Sequence, residues 1–297
     1  MPQLIRIGTR GSALAMRQTE IVSRLLATQG LRTETTIIRT EGDAETSVPL
    51  HQVGGQGIFV RALDDAILRG EIDVAVHSMK DIPALRPEGL ATPAILSRDP
   101  PTDYLAFDTP LDEISIIGTS STRRRAQLLR HDPELEIREL RGNIDTRIRK
   151  LRDGEYDAIM LAEAGLVRMG MQINGIRLPV TQFVPAPNQG TIAIVCRDDA
   201  VLKDALAPLD HQETRMDTMI ERAVMEEVGG GCFTPQGVFC RDRYLIAEIL
   251  SLDGSRSERI ERRVDDIEDA RFTGRELRDA AADLIHEAKT TLGLERP

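Results

Sequence analysis

Apolar positions over the first 95 or so residues alternate between short runs and helical spacing. Residues 4–7 predict a strand, Leu14, Ile21, Val22 and Leu25 fall on one helical face, and residues 35–39 predict a second strand. A loop over residues 40–57, marked by Gly54, Gly55 and Gly57, leads into a helix carrying Phe59, Val60, Leu63, Ala66 and Ile67, and then into a strand at 73–76. A second unit repeats the alternation from about residue 98 to 190, with strands at 115–117, 136–139 and 158–161 and helices beginning near Ser121, Ile144 and Ala162. From about His211 the pattern changes. One helix ends at Gly229, period-2 segments follow at 244–250 and 256–264, and one last helix runs through Leu277, Ala281, Leu284 and Ala288. Such alternation predicts an α/β fold with mostly parallel sheets, followed by a small α/β tail with an antiparallel sheet.

A faint repeat links the first two units. Ile7-Gly8-Thr9 and Ile117-Gly118-Thr119 each end a strand and pass through Ser12 or Ser121 into a helix, an arrangement that points free backbone N–H groups at an anion. If the echo is structural, two lobes face each other across a shared cleft at the carboxyl ends of their strands.

At 297 residues the chain is long enough for two or three domains with hydrophobic cores. Only 3% of residues are aromatic and Trp is absent, which disfavours base stacking on aromatic platforms. The net charge of -10 repels polyanions at long range, so nucleic acid is not an expected partner. No stretch approaches the ~18 apolar residues of a membrane span, and the first ten residues lack a secretory leader, which points to the cytoplasm and to no membrane partner.

Charge is unevenly spread. Residues 118–152 hold ten basic and five acidic side chains, a local surplus of +5 on a body that carries -15 elsewhere. Arg149 and Arg152 read as solvated helix faces with i,i+4 partners. Arg123 and Arg124 differ, because they follow Gly-Thr-Ser-Ser at a predicted helix start, where hydroxyls, N–H groups and guanidinium forks converge on a carboxylate or phosphate. Arg141 and Arg147 lie about one helical turn apart after a strand end, with Arg10 and Ser12 as an opposite wall.

Residues 74–83, Val-Ala-Val-His-Ser-Met-Lys-Asp-Ile-Pro, form a buried-looking strand ending in a cation, a carboxylate and a stiff turn. Asp81 is the candidate for chemistry, and His77 is expected to be a core histidine with its ring satisfied. Three cysteines, Cys196, Cys232 and Cys240, fit neither a disulfide framework nor zinc-ligand spacing, so no metal is expected. Cys232 follows three glycines and precedes Phe233-Thr234-Pro235, whereas Cys196 and Cys240 read as small core residues.

Five segments in order, Gly8-Thr9-Arg10-Gly11-Ser12, Val76 to Asp81, Gly118 to Arg124, Leu140-Arg141-Gly142-Asn143 with Thr146-Arg147, and Glu221-Arg222 leading to Gly230-Gly231-Cys232, resemble the porphobilinogen deaminase (hydroxymethylbilane synthase) family over essentially the whole chain. The resemblance implies three domains: two periplasmic-binding-protein-like lobes, residues 1–97 with 191–210 and residues 98–190, and a cofactor-attachment domain, 211–297. It implies a transferase of haem and other tetrapyrrole biosynthesis that condenses four porphobilinogen molecules head to tail into hydroxymethylbilane, releasing four ammonia. It further implies a dipyrromethane cofactor covalently attached to Cys232, with Lys80, Asp81, Ser121, Arg123, Arg124 and Arg141 around that cofactor. Arg10, Ser12, Phe59, Arg147 and Arg168 would bind substrate, and the protein would be a monomer. Each pyrrole carries an acetate and a propionate, so elongation gathers two negative charges per unit, which accounts for the arginine-rich segment. Gln56 stands where the family commonly has a lysine, with Arg61 nearby as a substitute. Gln236 stands where the family has an apolar residue, and Asn188-Gln189-Gly190 where it has Gly-Gln-Gly. The competing expectation is a two-lobed carboxylate sensor without catalysis, which would have no need of Cys232 or Asp81.

Overall fold

The computed structural model describes residues 4–38, 58–229 and 233–293. The chain divides into two compact units, residues 1–99 with 190–215 and residues 100–189 with 216–297. In chain order, the first unit begins with β1 (Leu4–Thr9), α1 (Ala13–Thr28), β2 (Arg32–Ile37), α2 (Ile58–Leu68), β3 (Val74–Ser78) and β4 (Leu90–Ile95). The second unit follows with β5 (Asp103–Phe107), β6 (Ile116–Gly118), α3 (Thr122–His131), β7 (Glu136–Arg138), α4 (Ile144–Arg152), β8 (Ala158–Ala162), α5 (Glu163–Met169) and β9 (Gly175–Arg177). The first unit then regains the chain for β10 (Ile192–Arg197) and α6 (Ala200–Leu206), and α7 (Gln212–Val228) leads to β11 (Gln236–Arg241), β12 (Tyr244–Leu250), β13 (Ser257–Arg263), α8 (Ile267–Ala280) and α9 (Ala282–Thr291).

The two larger sheets have one topology. The first is ordered β2-β1-β3-β10-β4 and the second β7-β6-β8-β5-β9. In each, the first three strands pair in parallel, while the fourth, β10 or β5, is antiparallel to both of its neighbours. Four strands of each sheet therefore run one way and one runs back. Sheets covered on both faces require strands that are apolar throughout. In the first unit Ile5, Ile7, Val74, Val76, Ile192 and Ile194 pack with Val22 and Leu26 of α1, while Ala75, Ala193 and Val195 face Leu63 and Ile67 of α2.

The repeated Ile-Gly-Thr motif has a packing cause. A Cβ on Gly8 would collide with Ile72, two residues before β3, and one on Gly118 would lie 2.8 Å from Tyr156, two residues before β8. Glycine is needed at both places because the neighbouring strand's entry side chain packs directly over the backbone.

The small sheet, β11-β12-β13, is antiparallel throughout. One face packs Val238, Cys240, Leu245 and Ala247 against Ile220 and Val224 of α7 and Leu277 and Leu284 of the last helices. Those last helices correct the sequence reading of a single element. The chain breaks at Ala281, with φ -98° and ψ 18°, and no glycine or proline there signals it.

Candidate active site

In the first unit, β1 and β3 lie side by side and parallel, so the residues that follow them gather at one end of the sheet. Arg10 follows β1, and Ser12 caps α1 by accepting from the Ala15 N–H at 3.3 Å. After β3 the chain makes a 3₁₀ turn, Met79–Asp81, held by the Met79 N–H to the Thr191 carbonyl at 2.9 Å. Met79 and Ile82 are buried, leaving Lys80 and Asp81 exposed between them. Ser78 does not cap this turn. Its hydroxyl instead accepts from Gln18 Nε2 at 2.8 Å.

The second unit offers the equivalent end of its sheet. Ser121 caps α3 by accepting from the Arg124 N–H at 3.4 Å, Arg141 follows β7, and Arg168 lies on α5 after β8. Neither α1 nor α3 has an acidic residue in its first turn, so the positive end of each helix stays uncompensated by its own sequence. Arg141 Nε pairs with Glu139 at 2.7 Å at the surface, a contact that solvent screens and a ligand carboxylate can replace. Arg147 donates to the Gly142 carbonyl at 2.8 Å, and burial together with the neighbouring Arg124 pushes its guanidinium down to about 10. A cation lowered by burial and a like charge gains from an anion placed beside it. Cations, hydroxyls and the positive ends of helices, arranged in this way, suit a ligand bearing several carboxylates.

Arg123 and Arg124 have a partner that the sequence reading did not include. Arg123 Nη1 reaches Asp103 Oδ2 at 2.7 Å, and Arg124 donates to Asp103 Oδ1 from Nε at 3.0 Å and from Nη2 at 2.7 Å. All three side chains are buried. Burial would raise the Asp103 carboxyl, but the two guanidiniums outweigh it and hold it well below the usual carboxylate range. Gln189 Nε2 adds a donor at 2.9 Å. The only sequence signal for Asp103 is a charged residue opening the apolar run 103–107.

Other polar groups are held inside the fold, Glu221 of the Glu221-Arg222 segment among them, and Glu248, which no sequence signal marked. Glu221 accepts from the backbone N–H groups of Asn188 at 2.6 Å and Cys240 at 2.7 Å. Glu248 accepts from Gln127, Arg130 and Arg259 at 2.8, 2.9 and 3.0 Å. His77 is buried as expected, but its ring is not satisfied, since Nε2 has no hydrogen-bond partner among the described residues. Burial, with Arg86 and Arg10 adding positive charge, lowers its imidazole to about 3. Cys196 and Cys240 are buried thiols with raised pKa values, Cys196 to about 11, and both sit in apolar clusters. Cys232, the side chain of Phe59 and the loop containing Gln56 lie outside the described residues. Arg61 is exposed on α2. No helix among the described residues is long and apolar enough to cross a membrane.

Comparison with known proteins gives this arrangement a family. Residues 5–204 match the family model "Porphobilinogen deaminase, dipyromethane cofactor binding domain", and residues 216–283 match "Porphobilinogen deaminase, C-terminal domain". A probable porphobilinogen deaminase of Methanosarcina acetivorans is 54% identical over 267 residues, covering 86% of this chain and 84% of its own. A probable porphobilinogen deaminase of Archaeoglobus fulgidus is 43% identical over 92% of this chain and 96% of its own. The porphobilinogen deaminase of Syntrophobacter fumaroxidans is 43% identical over 85% and 84%. Among solved structures, a periplasmic substrate-binding protein of an ABC transporter from Coxiella burnetii aligns with a TM-score of 0.43 at 15% identity, over 69% of this chain and 91% of its own. Matched through both parts of its length, and by relatives this similar, the chain belongs to the porphobilinogen deaminase family.

Proposed function

We propose that this protein is a transferase that joins four porphobilinogen molecules head to tail into hydroxymethylbilane, with loss of four ammonia and uptake of one water on release of the chain. The match of both family models, over 5–204 and 216–283, carries this reading. The carboxylate-sensor alternative is not favoured, because the second match covers a region that a two-lobed sensor would not use. The proposal retains three domains, 1–97 with 191–210, 98–190 and 211–297, supported by three separate sheets. The proposal also keeps a monomeric state, as the resemblance implies, and a cytoplasmic location.

A dipyrromethane held through a thioether by Cys232 fits the donor set at the strand ends, where Ser121, Arg141 and Arg147 offer hydroxyl and guanidinium groups. Bound there, it supplies the nucleophilic pyrrole carbon that primes the chain. In this reading Lys80, Ser121, Arg123, Arg124 and Arg141 serve the cofactor, the two buried arginines doing so from a framework set by Asp103. Arg10, Ser12, Phe59, Arg147 and Arg168 serve the incoming substrate. Asp81, exposed at the tip of its turn, would stand beside the pyrrole N–H as positive charge develops on the substrate losing ammonia, stabilising that charge and assisting proton transfer.

The test is to incubate purified protein with porphobilinogen and then apply an acidic aldehyde reagent for pyrroles. Protein-bound colour and a two-ring mass addition are expected on the wild type and not on Cys232→Ser. Wild-type protein that makes no hydroxymethylbilane overturns the reading.

A further inference from the structure

The loop that follows the Asp81 turn is tied to α2 by a buried ion pair. Asp64 lies on the inward stretch of α2 among Leu63, Ala66 and Ile67, and is 2% exposed. A carboxylate in such a layer needs a partner, since desolvation without one is costly. Its partner is Arg86, whose Nε reaches Oδ2 at 3.1 Å while Nη2 meets Oδ1, a two-pronged contact with the arginine side chain only 13% exposed.

The route between the turn and Arg86 explains why this pair matters. Met79 and Ile82 are anchored in the same apolar layer as Leu63 and Ile67, and Ile82 N–H closes the turn on the Met79 carbonyl at 3.1 Å. The chain then swings outward, leaving Leu85 91% exposed, and Arg86 draws it back onto α2. The exposed Lys80 and Asp81 are thus held on one side by β3 and on the other by a loop that the Arg86 guanidinium ties back to α2. We propose that Arg86, clamped by Asp64, is a positioning residue that holds the Lys80–Asp81 turn in its working geometry. This rests on the reading of Asp81 as the catalytic carboxylate.

Breaking one member of a buried pair leaves a lone charge inside, whereas exchanging both for apolar residues of similar volume preserves folding. The experiment therefore compares wild type, Arg86→Lys and the double variant Asp64→Leu/Arg86→Met. Turnover, KM, thermal midpoint and amide hydrogen exchange of segment 79–86 are measured on cofactor-loaded protein. The double variant is expected to melt near the wild type, yet to lose about 10- to 100-fold in kcat with KM changed less than about threefold, the signature of a displaced reacting group. Exchange in segment 79–86 is expected to rise at least about tenfold, because a lost tether lowers the free energy of local opening. Arg86→Lys keeps the charge but not the fork, so it should fold and show the same kcat loss in milder form. Wild-type kcat and unchanged exchange in the double variant, or in Arg86→Lys if the double variant does not fold, overturn the inference. Wild-type protein without product would overturn the functional reading instead, and the exchange data would still report on the tether.

Discussion

Arg124 meets Asp103 through two converging contacts, Nε and Nη2 both donating to Oδ1, and both side chains are buried. The carboxylate's other oxygen is taken by Arg123. Replacing Asp103 with Asn would strand two guanidiniums in the interior, and the loss of stability should be about 3–5 kcal/mol. A denaturant titration checks this. A change below about 1 kcal/mol would show that solvent reaches the arginines.

His77 gives the protein an acid-sensitive step. Its folded pKa, about 3, lies below its unfolded value near 6.5, so between those values the unfolded chain binds the extra proton. Stability should therefore fall as pH drops through 6.5, by about 2 kcal/mol at pH 5 from this group alone. The same titration with His77→Gln should lose that part of the slope. An unchanged slope would assign it to other groups.

Asn188 is buried with φ 64°, and neither atom of its carboxamide has a hydrogen-bond partner among the described residues. A buried unpaired amide and a left-handed backbone both favour glycine here. Asn188→Gly should raise stability by about 1 kcal/mol, visible as a higher thermal midpoint. A lower midpoint would mean that the carboxamide is satisfied by ordered water.

Asp81→Asn keeps the size of the side chain and removes its charge. The variant should carry the cofactor mass and bind porphobilinogen while losing at least about 100-fold in turnover, within the range for a group that moves a proton or stabilises charge. Near-normal turnover would remove Asp81 from the chemistry.

Much of this was legible in the sequence where one signal ruled. The apolar residues of β1 and the apolar run of β3 marked strands, and Ser12 and Ser121 marked helix starts. The reading missed β4 and β5, because a proline interrupts one and a buried aspartate opens the other, so neither shows a clean period. Arginines 123 and 124 were visible, but Asp103 was not, since ion pairing across 20 residues leaves no local pattern. The break at Ala281 was silent because alanine favours the helix it interrupts. Cys232 stood out through its glycines, while its role came from resemblance alone.

The reversed strand in the first sheet limits how this gene can be cut. A fragment stopping at residue 99 would encode β1 to β4 but not β10, which pairs with β3 on one side and β4 on the other. Its product would have a gap in the middle of the sheet and two unsatisfied strand edges, inviting self-association where the whole chain supplies its own filler. The half bearing Asp81 can be made alone only by a splice that brings residues 190–215 along with it.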